Sequence, residues 1–301
     1  MTVPMGVAGV QLAHREGTAS RMAERAETDV KRADGLRIPA RVGTMGWSYD
    51  DWEGVFYPEA TESRDRLKFY AHTFDTVEID STFYGTPRES VIQSWHRSTP
   101  GEFVFCSKVP NLITHELGLR NCLEPLSAFV QAMAGLGAKR GPMLFQMPPS
   151  FTYDEREALR DLLKCLPKLE DAEARFAIEF RHPSLLREEL YELLRDHNVA
   201  LAATEYDGMP RRFIVTANFA YVRLIGIHGA FSWHQVVQQD RSEAIKSWSN
   251  AIVKHQASIR ECWVYCNNDY EGYAPETGRR MLESLGLPTR APAAAMQGKL
   301  F

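Results

Sequence analysis

The sequence predicts an α/β fold, a TIM-barrel-like (β/α)8 barrel in a single domain. Three observations lead there. From Arg41 onward, short runs rich in β-branched residues alternate with longer amphipathic segments, the pattern of strand–helix units around a parallel sheet. Eight such strands fit within residues 40–287, close to the roughly 250 residues of that barrel. A doubly wound sheet would carry a glycine-rich phosphate loop after its first strand. Here Gly43-Thr44-Met45-Gly46 lacks the third glycine and runs into Trp47.

The elements follow in order. The first strand is read from Arg41 to Trp47, and a helix from Ser63 to Ala71, where Leu67 and Tyr70 are spaced by three. The second strand spans Thr76 to Ser81, with Val77 and Ile79 on one face and Glu78 and Asp80 on the other. Thr86-Pro87 supplies a cap and first-turn proline for a helix over Arg88 to Arg97. Phe103 to Lys108 is the third strand, Leu123 to Leu136 an amphipathic helix closed by Gly137, and Met143 to Gln146 the fourth strand. Pro148-Pro149 ends that strand in a rigid turn open to a cis bond. Tyr153 to Cys165 is helical, with Leu159, Leu162, Leu163 and Leu166 on one side, and Arg175 to Glu179 is the fifth strand. A helix over Ser184 to Asp196 takes Ser184 as its cap. Val199 to Ala203 and Phe219 to Leu224 are the sixth and seventh strands. Asp240 to Gln256 is helical, Cys262 to Cys266 is the eighth strand, and Pro275 to Leu285 is the last helix.

Residues 1–39 read as a disordered extension. They lack aromatic residues and a signal-length apolar run, and Glu16, Glu24, Glu27 and Asp29 are too acidic for a transit peptide. Residues 288–301 read as a loose Ala/Pro-rich tail. The 301 residues are 44% hydrophobic and 25% charged, ordinary for a soluble globular protein. A net charge of −4 counts against a dedicated nucleic-acid binder. No apolar run is long enough to span a bilayer, so no membrane partner is expected. Five cysteines without C-x-x-C spacing read as reduced, packed thiols of a cytoplasmic protein.

The motifs then add up to a family. Gly43 to Tyr49 with Trp52 and Phe56-Tyr57-Pro58, Val77 to Tyr84, Phe103 to Lys108 with Ile113-Thr114-His115, Leu144 to Phe151, Ile178 to Pro183, Ala220 to Arg223, and Tyr265 to Asn268 with Ala274-Pro275 occur in one fixed order. In this the chain resembles the YecE-like proteins, the domain-of-unknown-function family numbered seventy-two. The resemblance implies a TIM-barrel-like fold and supplies no activity. Three positions depart from the family pattern. Leu185 stands where many relatives have tryptophan. Ile225 stands where many have histidine. Glu205 or Asp207 stands in for an aspartate after the sixth strand.

On a barrel, residues at the carboxyl ends of strands form the active face. There the sequence puts Glu78 and Glu179 as an acid/base pair, their roles divided by burial and like charge. A fixed ionic lattice with Lys108, Arg181 or Arg223 is the alternative. Lys108 joins the catalytic set, by charge or as a Schiff-base lysine. Substrate contacts are assigned to Trp47, Tyr49, Asp80, Tyr84, His115 and Gln146, and to Arg181, His182, Arg223, Asn267 and Asn268. Arg181 and Arg223 suit an anion held in a bidentate grip, and Trp47 and Tyr84 suit stacking on a sugar or base. No H-x-x-x-H or H-E-x-x-H spacing is present, and neither a metal nor a cofactor is assigned. The expected function is a hydrolase or lyase acting on an anionic phosphorylated or sugar-like substrate. The alternative is a non-catalytic nucleic-acid or nucleotide-binding protein.

Overall fold

A computed structural model describes residues 35–169 and 171–294. Of the amino-terminal unit Met1–Arg37, only residues 35–37 fall within that range, so the expected disordered extension lies almost wholly outside the described residues. The second unit, Ile38–Phe301, holds the fold.

Its strands are β1 (Ala40–Thr44), β2 (Thr76–Ile79), β3 (Val104–Lys108), β4 (Arg140–Gln146), β5 (Phe176–Glu179), β6 (Ala200–Leu201), β7 (Ala203–Tyr206), β8 (Phe219–Gly226) and β9 (Glu261–Cys266). All pairings between them are parallel. One sheet runs β1-β9-β8-β7 and the other β2-β3-β4-β5-β6. The expected sixth strand is split at Ala202: β6 pairs with β5, and β7 pairs with β8. The backbone N–H of Ala202 still bonds to Ile178 O at 2.8 Å, so Ala200–Tyr206 acts as one stave shared by both sheets.

The sheets meet again through a bridge between Met45 and Glu78, where Gly46 N donates to Glu78 O at 2.8 Å. Gly43 lets β1 come close enough to β2: a Cβ there would stand 2.1 Å from the Thr76 carbonyl oxygen. Eight staves joined in this way are TIM-barrel-like.

The helices are α1 (Ser63–Thr73), α2 (Glu89–Arg97), α3 (Leu123–Ala134), α4 (Arg156–Cys165), α5 (Glu188–Asp196), α6 (Ser242–His255), the short α7 (Asn268–Glu271) and α8 (Ala274–Ser284). Leu159, Leu162 and Leu163 of α4 are buried, as a 3.6-residue apolar face requires. Several boundaries move from their expected places. Tyr153–Glu155 is a 3-10 turn with a Thr152/Glu155 capping box ahead of α4. Pro183–Leu185 forms a separate 3-10 turn, so Ser184 does not cap α5, which starts after Arg187. Arg88, not Thr86, precedes α2 and makes no side-chain cap bond. A π-helix, Leu112–Glu116, occupies the expected loop after β3. No cis peptide bond occurs among the described residues, Pro148 and Pro149 included. After Pro288, Arg290 pairs with Asp75 at 2.6 Å and Ala294 N reaches Phe56 O at 3.3 Å. That much of the expected loose tail is anchored. Residues 295–301 lie outside the described range.

The barrel interior is packed with side chains from alternate strand positions. Met45, Cys106, Leu144, Ala177, Ala202, Tyr221 and Tyr265 belong to one buried cluster. These positions fix the inward phase of each strand. Continuing that phase toward the carboxyl ends brings Glu78, Asp80, Lys108, Gln146, Glu179, Arg181, Arg223 and Asn267 to the mouth.

Candidate active site at the carboxyl ends of the strands

The lower layer of the mouth is an ionic lattice centred on Arg223. This guanidinium is buried and donates from Nε to Glu78 Oε2 at 3.0 Å and from Nη2 to Glu78 Oε1 at 2.7 Å. Its Nη1 donates to Glu179 Oε2. Tyr221, two residues earlier on the same face of β8, donates its hydroxyl to Glu78 Oε2 at 2.7 Å. Arg181 Nε donates to Glu179 Oε1 at 2.6 Å. Both carboxylates are fully buried and every one of their oxygens has a donor. Burial pushes the Glu179 carboxyl up, but the Arg223 and Arg181 guanidiniums beside it prevail and hold it at about 2. Of the two arrangements weighed for these carboxylates, the geometry is that of the ionic lattice: Arg223 stands between Glu78 and Glu179.

One strand position further toward solvent on the same face, about 6–7 Å away at strand rise, lies a second and looser layer. Lys108 Nζ stands 3.7 Å from Asp80 Oδ1 and 4.5 Å from the centre of the Phe83 ring. Burial pushes Asp80 up, and Glu78 adds to this against the pull of Lys108. About 36% of the Asp80 side chain still meets solvent, which tempers that push. Burial pushes Lys108 down, Asp80 opposes this, and the Arg223 charge adds to it. His115 packs edge-on against Phe83 with ring centres 5.0 Å apart. Its pKa is lowered by burial and then by the charges of Lys108 and Arg181. The Arg181 guanidinium carbon lies over the Tyr206 ring, 4.2 Å from its centre. Thr82 braces this layer, its single hydroxyl hydrogen within reach of both Lys108 O at 2.8 Å and Ile79 O at 3.0 Å.

The remaining predicted residues separate. Gln146 is nearly buried at the end of β4, its backbone paired with Glu179 of the next strand. Asn267 donates to Met45 Sδ at 3.6 Å and caps α7 by accepting from Asp269 N at 2.9 Å. Asn268 is not part of the mouth. Its Oδ1 accepts from Trp52 Nε1 at 3.2 Å and Ala274 N at 3.0 Å, because the alternation that turns Asn267 inward turns Asn268 outward. His182 accepts from Ser184 N at 3.3 Å and pairs with its hydroxyl, so its Nδ1 caps the turn begun by Pro183. Tyr49 donates to Met45 O at 2.5 Å and packs on Trp52, a bracing role for the loop after β1. Trp47 packs edge-on against Trp95. Tyr84 is 83% exposed and packs edge-on against the Phe83 ring.

Glu205 falls on β7 and faces the helix layer, bonded by Trp248 Nε1 at 2.7 Å, Tyr270 at 2.7 Å, Arg241 and Arg211. Asp207 is exposed. Neither position feeds the lattice. Sequence reasoning missed Tyr221 and Tyr206. For Tyr221 the signal was present, since a tyrosine two positions before an arginine on a strand shares its face. Among the described residues, no group of three or more His, Cys, Asp or Glu side chains is placed to hold a metal ion.

A family model described as Protein of unknown function DUF72 matches residues 41–299. The chain belongs to this family. YunF of Bacillus subtilis strain 168, a UPF0759 protein, is 26% identical over 272 residues, spanning 82% of this chain and 94% of YunF. YecE of Escherichia coli K12, also a UPF0759 protein, is 31% identical over 142 residues, 47% of this chain. That match spans about half of YecE, 48% of its length. A DUF72 family protein of Thermotoga maritima MSB8 has a solved structure that aligns with a TM-score of 0.71 at 29% identity, over 82% of this chain and 99% of that one. A DUF72 structure from Enterococcus faecalis V583 gives 0.67 at 22% identity, over 84% of this chain and all of that one, and speaks for the fold alone. The family membership and the TIM-barrel-like DUF72 fold agree with the motif reading. No helix among the described residues is long and apolar enough to cross a membrane.

Proposed function

We propose that this DUF72 chain is an enzyme that performs proton transfer, of hydrolase or lyase type, on an anionic phosphorylated or sugar-like substrate at the barrel mouth. The observation that carries this reading is the convergence of His115, Lys108 and Arg181. Lys108 and His115 both lie against the Phe83 ring, at 4.5 and 5.0 Å, and burial and then the charges of Lys108 and Arg181 lower the imidazole. Arg181 holds Glu179 through Nε, which leaves its two terminal nitrogens to grip an anion in a bidentate way.

In this reading Glu78 and Glu179 are the platform. Their charges are spent on Arg223, and a carboxyl held at about 2 is a weak base near neutral pH. Asp80 and Lys108 carry the proton transfer. Burial moves the acid up and the amine down, bringing both toward the pH at which a group can give and take a proton. His115 is the second base or donor. The rival reading, a nucleic-acid or nucleotide binder without turnover, draws on the exposed rings of Tyr84 and Trp233. The net charge of −4 weighs against it.

The test is thermal melting of the full chain with inorganic phosphate, sugar phosphates, carboxylates, nucleotides and divalent metals, beside Arg181→Met and Asp80→Asn. The expected result is a rise in Tm with one class of small anion, lost in Arg181→Met and kept in Asp80→Asn, with turnover of that ligand lost in Asp80→Asn. A wild-type chain that no small anion stabilises defeats the proposal. Stabilisation by oligonucleotides alone, with a steep salt dependence, favours the binder.

A further inference from the structure

Among the described residues, two lysines, Lys108 and Lys139, have well-buried side chains, and they are treated differently. Lys139, 5% exposed, points its ammonium at three acceptors: His96 O at 2.6 Å, Thr99 O at 2.8 Å and Thr99 Oγ1 at 3.1 Å. Those three bonds match the three donors of an ammonium, and the group is a fixed tie between α2 and the start of β4. Lys108 has a side chain only 12% exposed, yet among the described residues its one charged neighbour within ion-pair range is Asp80, at 3.7 Å. Its other close contact is the face of Phe83. The nearby Arg223 is a cation already held by two carboxylates. A lysine kept from water, short of acceptors and near a fixed positive charge is in the setting that frees an amine lone pair for attack.

We propose that Lys108 is a covalent nucleophile, and that the substrate is an aldehyde or ketone bearing a phosphate or carboxylate group. The inference rests on the anion site proposed above and specifies its substrate class. The Lys108 nitrogen lone pair forms a bond to the carbonyl carbon as the C=O π pair moves to oxygen, and a proton passes from nitrogen to that oxygen. Asp80, in its protonated form, then gives a proton to the hydroxyl, which leaves as water, and the nitrogen lone pair closes the C=N bond. The result is an iminium on Lys108 with Asp80 ionised. The iminium draws electrons from the neighbouring carbon, so His115 or the Asp80 carboxylate can remove a proton there, or a carbon–carbon bond can break with its electron pair taken up as an enamine. Hydrolysis by one water returns the amine. Arg181 holds the anionic end throughout. No redox partner is needed.

The test is borohydride trapping on the full chain with pyruvate, dihydroxyacetone phosphate, glyceraldehyde 3-phosphate and neutral acetone, read by intact mass and peptide mapping. Hydride from borohydride reduces the imine to a secondary amine, so the peptide gains the mass of the carbonyl compound less one oxygen. The expected result is an adduct on Lys108 at least tenfold above any other lysine with one of the anionic carbonyls. It should be absent in Lys108→Arg and reduced in Arg181→Met. A second measurement needs no variant: the pH profile of reductive methylation should show Lys108 reacting at lower pH than exposed lysines. Labelling spread evenly over surface lysines, with an ordinary methylation profile at Lys108, overturns the inference. If phosphate still raises Tm in that case, the anion reading survives alone. If Lys108 is trapped equally well by acetone and phosphate gives no shift, the nucleophile stands and the anion reading fails.

Discussion

The two charged layers at the barrel mouth follow opposite rules. In the lower one, Glu78, Glu179, Arg223 and Tyr221 are buried and saturated with hydrogen bonds. In the upper one, Asp80 and Lys108 stand 3.7 Å apart, half-committed, with solvent still reaching the carboxylate. A saturated lattice resists change because removing one member strands its partners in a medium that cannot solvate them. An unsaturated pair leaves donors and acceptors open to a ligand. Position along the strand decides which rule applies: Glu78 and Asp80 share a strand face and are separated by one inward-facing step.

The sharpest way to break this contrast is to remove its hub. Arg223→Met should cost about 3–5 kcal/mol, because it leaves two buried carboxylates without their cation. Urea denaturation measures it, and a loss under about 1 kcal/mol would show that the lattice is not held by charge. Next is acid. The Glu179 carboxyl is depressed in the folded state, so its contribution is present above its unfolded value and lost as pH falls through the folded one. The window runs from 4.5 down to about 2, and the two values correspond to about 3 kcal/mol. Urea midpoints collected across that window should fall steadily toward the acid end. Tyr221→Phe removes one buried hydrogen bond to a carboxylate and should cost about 1.5–3 kcal/mol, with no change in the ligand-induced Tm shift. Asp80→Asn belongs to the other layer. Since burial already disfavours its charged form, stability at neutral pH should hold or rise by a few tenths of about 1 kcal/mol while turnover disappears. At the small end, Arg290→Ala breaks a pair whose side chains are 50% and 42% exposed, and should move stability by less than about 0.5 kcal/mol.

The sequence made the lower layer partly legible and the upper layer less so. Alternation along single strands placed Glu78 with Asp80 and Glu179 with Arg181 on shared faces, and the strand count implied that their ends converge. What alternation within one strand does not give is the neighbour across the barrel. That Arg223 would stand between Glu78 and Glu179 follows only once β2, β5 and β8 are brought around a common axis. Local chemistry misled at His182, where a following proline favours a capping turn, and at Asn268, where treating two adjacent asparagines as a unit ignored that they face opposite ways. The π-helix that carries His115 has no propensity signal, because its wider turn depends on packing beneath it. The break at Ala202 is likewise a tertiary effect: one stave serves two sheets, and its pairing partner changes midway.

The join between β1 and its two neighbours carries a consequence for biosynthesis. β1 is bound to β2 by the single Met45–Glu78 bridge, but to β9 by a full register from Ala40–Cys262 to Thr44–Cys266. The main partner of β1, the earliest of the described strands in the chain, is thus β9, the latest of them. Until then β1 presents an unpaired edge, and Glu78 lacks the Arg223 that neutralises it, since β8 also comes late in the chain. Ring closure and the neutralisation of Glu78 therefore both wait until β8 and β9 have been made, the order of events that non-local pairing imposes on a parallel barrel.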